Sequence, residues 1–207
     1  MSFVERNIKS TWEMNLCEEI DANTKLPLKP VKAGEVYNWG KNDMYSVRIV
    51  PCNHKVPTVG YAFSESRYRL KEEYKSLKGK EIAAIRKQGT DVSEPYSVPM
   101  FVFMGDTDAH IFTQNPWLFE YPTIITECTF FQDEHERAER DGHTHFDSLL
   151  PHIINHPEVE FVLIHFSLRY KEHEIYTFFD ELTKRAENPL NLSNVTLFVT
   201  KGGEGKE

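Results

Sequence analysis

Three short stretches stand in a fixed order along this 207-residue chain: Pro-Cys-Asn-His54-Lys-Val-Pro, Phe-Met-Gly-Asp106-Thr and Val-Leu-Ile-His165-Phe-Ser-Leu-Arg-Tyr. Each sets one metal-competent side chain beside an apolar, strand-like run. Between the last two lie Ile-Thr-Glu127-Cys-Thr and Asp-Gly-His143-Thr-His145-Phe. Imidazoles and carboxylates are donors for divalent transition metals, and a carboxylate beside an imidazole is the pairing that general acid catalysis uses. Taken singly, Gly-Asp-Thr is also a common turn, and a histidine beside an apolar run is also a hydrogen-bonded core residue. Their joint order carries the reading, because a rigid sheet holds loops convergent at strand ends.

The elements that must position these residues follow from periodicity and punctuation. Phe3, Val4, Ile8, Trp12, Leu16 and Ile20 predict an amphipathic helix over 3–20, followed by an extended Pro-bounded link at 26–30. Strands are expected at 35–39, 45–51 and 58–64, which leaves His54 in a strand-to-strand loop. Charged helices follow at 71–77 and 79–88, with Gly89 as the stop. Residues 98–104 form a continuous apolar run of the kind found in a strand buried on both faces. Short strands at 123–126 and 161–165 end on ionisable residues, helices fall at 133–140, 146–154 and 174–186, and 195–200 closes the sheet. The expected organisation is one domain over 1–200 with a frayed tail at 201–207. Strands alternating with helices, and chemistry at strand ends, indicate an α/β layered sheet.

The chain carries 24 basic and 32 acidic side chains, a net charge of −8, so any contact with a polyanion is local. One place stands out. Arg67, Arg69, Lys71, Lys75, Lys78, Lys80, Arg86 and Lys87 face only Glu72, Glu73 and Glu81, a local balance of +5 over 67–88. This stretch reads either as a solvated helical face with internal ion pairs or as a phosphate-contacting strip that docks an RNA stem near the site. Cys17, Cys52 and Cys128 are odd in number and lack a Cys-x-x-Cys pair, which points to reduced thiols. No segment approaches a membrane span and no signal peptide is recognisable, so the expected location is intracellular, cytoplasmic or nuclear.

The order His54, Asp106, Glu127, His143, His165 resembles the second half of the tRNA 3′-processing endonucleases (tRNase Z) of the metallo-β-lactamase superfamily. The likeness runs from the first helix to about Thr200 and includes the basic segment. It implies the carboxyl-terminal portion of an αββα sandwich and hydrolysis of a pre-tRNA phosphodiester by a two-zinc site. By that resemblance Asp106 bridges the two ions, His54 serves one and His165 the other. Glu127 orients His143, which protonates the leaving oxygen, and Arg67, Arg69, Lys71, Lys75, Lys78 and Lys80 contact RNA. Thr126 stands where the family more often has histidine. The family also carries an upstream His-x-His-x-Asp-His motif, whereas residues 1–53 contain no histidine. His143-Thr-His145-Phe-Asp147 satisfies only part of that pattern and lies downstream of Asp106, so His145 and Asp147 are read as surface or capping residues.

With only three of the family's ligands, each ion would have two protein donors, so zinc binding by this chain alone is expected to be weak or absent. The chain then reads as a truncated product or one half of a split enzyme, with a homo-oligomer or a complementing chain expected to cover the apolar sheet face near 98–104 and 161–164. Two alternatives stay open: a non-catalytic interaction module, and another phosphodiesterase or thioesterase of the superfamily.

Overall fold

β-branched and aromatic residues dominate the runs bounded by glycine, proline and asparagine, and these runs fold as strands. The computed structural model describes residues 31–199, which form one compact unit from Ala33 on. In order they build β1 (Val36–Trp39), β2 (Tyr45–Cys52), β3 (Thr58–Leu70), α1 (Gly79–Lys87), β4 (Ser93–Phe103), α2 (His110–Gln114) and β5 (Thr123–Glu127). Then come α3 (His135–Asp141), α4 (Phe146–Asn155), β6 (Glu160–Ile164), α5 (Glu172–Lys184) and β7 (Val195–Leu197). The seven strands form one sheet in chain order. Pairing is antiparallel from β1 to β4 and parallel from β4 to β7. As a result β2, β4, β5 and β6 all point the same way, and the loops that follow them open on one edge.

The architecture is mixed α/β, as expected, with a single sheet among the described residues. One face of it is closed. Val50, Ala62, Val102, Ile124, Phe161 and Leu163 pack there with Phe112, Leu149, Ile153, Phe179 and Leu182 from the helices into one core. Among the described residues the other face is open and apolar: Phe103 is 41% exposed and Phe198 62%, with half-buried Ile125 between Phe103 and Val162 in register. The run at 98–104 is therefore covered on one side only by the described residues. On the second side Phe103 lines a groove of about 910 Å³ that also takes in Ile164, Phe166 and Leu168.

Several boundaries differ from expectation. β3 continues past Ser64 to Leu70, and β4 begins at Ser93, because residues 64–70 pair with 93–99, the pair running on as a two-stranded ribbon beyond Glu65. Cross-strand pairing there outweighs a polar, charged composition that carries no local strand signal. Residues 71–77 hold only a 3₁₀ turn at Glu72–Tyr74, and α1 ends before Gly89, whose φ of +85° suits glycine. The helix α2 was not anticipated. It is short, and the Asp108 side chain accepts from the His110 N–H at 2.9 Å at its start. The expected helix at 3–20, the link at 26–30 and the tail at 201–207 lie outside the described residues. Among the described residues no helix is long and apolar enough to cross a membrane.

Candidate functional site

Strand direction decides where the chemistry falls. Cys52, Phe103, Glu127 and Ile164 end β2, β4, β5 and β6, so His54, Asp106, Glu127 and His165 share one edge of the sheet. His143 joins them from the α3–α4 loop, its ring centroid 4.8 Å from that of His54 and 5.6 Å from that of His165. Each of the five residues singled out from the sequence is thus in one cluster. His165 adopts φ +60°, an unusual conformation for a side chain other than glycine.

Glu127 is the anchor. It is 1% exposed, and its carboxylate accepts from the Thr107 N–H at 2.7 Å, the Thr144 N–H at 3.2 Å, His143 Nδ1–H at 2.9 Å and the Thr129 hydroxyl. With all four donors aimed at it, the carboxylate is held as a buried anion. The hydrogen bond that His143 donates to Glu127 is the main cause that raises the His143 pKa above its ordinary value, against the opposing effect of burial.

The hydrogen bonds also fix which ring nitrogen carries each proton. A carbonyl only accepts, so His54 Nδ1–H donates to Gly142 O at 2.7 Å. The Thr129 proton goes to Glu127, so Thr129 Oγ1 accepts from His165 Nδ1–H at 2.9 Å. In their neutral forms His54, His143 and His165 all present an Nε2 lone pair. His165 Nε2 faces Asp106 Oδ1 at 3.7 Å, and among the described residues no N–H or O–H group hydrogen-bonds the Asp106 carboxylate. Acceptors facing one another across an open gap call for a cation or a proton between them, which is the chemistry of a metal-binding donor set.

Three groupings bring a donor atom from each residue within 4.8 Å of the others: His54, Asp106 and His143; Glu127, His143 and His165; and His135, His145 and Asp147. The second is limited because the Glu127 oxygens are committed. The third fails on lone pairs: His145 Nε2–H donates to Gln132 O at 2.9 Å while its Nδ1 accepts from the Asp147 N–H at 3.1 Å. His145 is the N-cap of α4, and Asp147 pairs with His135 at 2.8 Å, which leaves the capping reading of His145 in place. Burial pushes the Cys52 thiol up to about 11, so it is a thiol rather than a thiolate at neutral pH.

Thr129 and Gly142 went unnoticed in the sequence. Thr129 follows Glu127 by two positions, the spacing that returns a side chain to the same side of an extended segment; Gly142, in the left-handed region at φ +70°, ends α3 and turns its carbonyl to His54.

The basic residues lie elsewhere. Arg67 is nine residues along β3 from Thr58 at the site edge, about 30 Å away at strand rise. This corrects the expectation of a strip beside the site. Arg67 pairs with Glu65, Arg69 with Glu94 and Lys75 with Glu72, with the basic side chain exposed in each pair. Lys71, Lys78 and Lys80 have no carboxylate within 4.0 Å among the described residues.

Comparison with known proteins returns the same family that the motif order resembles. The chain is 31% identical over 161 residues to tRNase Z TRZ2, chloroplastic, of Arabidopsis thaliana, covering 76% of this chain and 44% of that protein. It is also 31% identical over 126 residues to tRNase Z TRZ1 of the same plant, covering 59% and 45%. This is a tRNase Z-like chain. The tRNase Z-like chain spans less than half the length of either relative. No family model matches it. Among solved structures, the metallo-β-lactamase fold protein YhfI of Bacillus subtilis aligns at TM-score 0.48 and 14% identity over 90% of this chain and 59% of that one. Human tRNase Z, short form, aligns at TM-score 0.39 and 16% identity over 66% and 41%.

Proposed function

We propose that this chain is the acid-bearing half of a tRNA 3′-end processing endonuclease-like metallohydrolase that acts on pre-tRNA. The observation that carries the reading is the buried Glu127–His143 pair set beside His54, Asp106 and His165. Zinc held by His54, Asp106 and His165 would lower the pKa of a bound water and neutralise charge on the phosphoryl group. The chain's own residues do the rest. Glu127 keeps His143 Nδ1 protonated and aimed, and favours the charged imidazolium, whose Nε2–H gives its proton to the departing oxygen. Thr107 and Thr144 hold Glu127 so that this pair keeps one geometry. Arg67, about 30 Å from the site edge at strand rise, leads a basic set with Arg69, Lys71, Lys75, Lys78 and Lys80 that contacts phosphates remote from the reacting bond, a separation suited to a long, stiff RNA rather than to a small ester.

The donor set falls short of two ions, and the open apolar face adjoins it at His165, Thr129 and Ile164. Both gaps support completion by a complementing polypeptide that covers the face and supplies the remaining ligands. The test is to co-purify this chain with the part of TRZ2 that it does not span and to assay a pre-tRNA bearing a 3′ trailer. Trailer removal that is lost in Asp106→Asn and His143→Asn supports the proposal. No cleavage and no salt-sensitive binding of the pre-tRNA, with intact TRZ2 active alongside, refutes it and favours the non-catalytic module. Self-association of the chain through the same face would replace the complementing partner by a second copy.

A further inference from the structure

We propose that this chain, on its own, holds one divalent transition-metal ion between His54 Nε2, the Asp106 carboxylate and His143 Nε2. The inference deepens the proposed function and rests on that reading of the site. It reassigns His143: an imidazole that protonates a leaving group in the completed enzyme becomes a ligand in the lone chain.

Geometry comes first. One donor atom from each of the three residues lies within 4.8 Å of the other two, while ligands of a tetrahedral zinc with bonds of about 2.0–2.1 Å stand about 3.3 Å apart. Closing the gap requires each donor to move by about 1 Å or less. Both imidazoles already have Nδ1–H on an acceptor, His54 on Gly142 O and His143 on Glu127, which is how metal-bound histidines are commonly held by their surroundings. The two rings are also positioned by one segment. The Gly142 carbonyl fixes His54, the next residue is His143, and Lys55 pairs with Asp141 at 3.5 Å across the same junction.

Charge and donor count agree with that placement. Asp106 and Glu127 together carry two negative charges, which one divalent ion balances. If His54 served one ion and His165 another, with Asp106 shared, each ion would have two protein donors; a single ion on His54, Asp106 and His143 has three, the number found in catalytic zinc sites. His165 Nε2, 3.7 Å from Asp106, is left outside this set. A lone pair that ligates cannot also carry a proton, so the metal-bound lone chain has no acid and is inactive until added ligands free His143.

Titration of the metal-stripped full chain with Co²⁺, followed by visible absorption, and with Zn²⁺, followed by calorimetry, tests the proposal without RNA. Asparagine is the informative replacement, because its amide N–H stands near the position of Nδ1–H while Nε2 is removed. One ion per chain is expected. His54→Asn, Asp106→Asn and His143→Asn should each weaken it about tenfold or more, and His165→Asn should weaken it less than about threefold. Variant-free support comes from ¹⁵N spectra of the wild-type chain, in which zinc should shift the Nε2 signals of His54 and His143 and spare that of His165. Two ions per chain, no measurable binding, or binding lost in His165→Asn and kept in His143→Asn overturns the inference. None of these outcomes bears on cleavage by the completed enzyme, which the TRZ2 experiment reads separately.

Discussion

Replacing Glu127 by glutamine changes one oxygen to an NH₂ and almost nothing in shape, yet the site cannot accommodate it. If the NH₂ takes the place of Oε1, it confronts the Thr107 N–H and His143 Nδ1–H; in the place of Oε2 it confronts the Thr144 N–H. Either orientation loses at least one hydrogen bond to a charged group, about 1.5–3 kcal/mol, and strands a buried N–H against another donor, about 1–3 kcal/mol. The expected loss of stability is about 3–5 kcal/mol. With a urea slope of about 2–3 kcal/mol per M, the unfolding midpoint falls by between about 1 and 2.5 M. Equilibrium urea unfolding followed by tryptophan fluorescence measures this directly. A Glu127→Gln midpoint within about 0.3 M of wild type, the equivalent of less than 1 kcal/mol, would refute the account of Glu127 as a buried anion held by four donors.

Three further outcomes are expected. Gly105→Ala puts a Cβ 2.6 Å from Thr58 Cγ2 and 2.8 Å from Val59 O; because one obstacle is backbone, the cost should reach about 2 kcal/mol in the same unfolding assay. Burial is the first cause that lowers the pKa of His145 and of His152. The unfolded chain then binds more protons than the folded one just below about 6.5, so both residues make stability decline as pH falls through that value. His143, raised, works the other way: its contribution is full below about 6.5 and is lost as pH rises through its folded pKa. His152→Leu should therefore flatten the decline in urea midpoint between pH 7.5 and 5.5, and an unchanged decline would contradict the assignment. Finally, Lys71, Lys78 and Lys80 changed together to glutamine should lower the slope of log affinity for pre-tRNA against log salt by up to about 3, roughly 1 per contact removed, whereas Arg67→Gln, which also frees Glu65, should change it less.

How much of this was legible in the sequence depends on the range of the cause. Gly89 and the strand ends at Cys52, Glu127 and Ile164 announced themselves locally, and the strand ends placed the site, because parallel direction turns sequence order into spatial convergence. The continuation of β3 beyond Ser64 was not legible. Its residues are polar and charged, and only pairing with 93–99 makes them a strand. The basic residues stand away from the site for the same reason: a strand carries the chain off from that edge of the sheet, and nothing in the local composition marks the segment past Ser64 as a strand. Residues 98–104 looked doubly buried because an apolar run records hydrophobicity but not which side is covered. Thr129 and Gly142 act through one hydroxyl and one carbonyl, groups whose partners no composition or spacing reveals.

His165 is held against the preference of its own backbone. Its left-handed backbone, at φ +60°, costs of order 1 kcal/mol for a residue with a Cβ and would cost glycine almost nothing. A glycine there would recover that strain but give up the His165 Nδ1–H bond to Thr129 Oγ1, and with it the hold on the hydroxyl that donates to Glu127. The two effects are of the same order, so relief of the backbone brings the fold little or nothing. Strain at this turn is the counterpart of an imidazole aimed across the edge of the sheet.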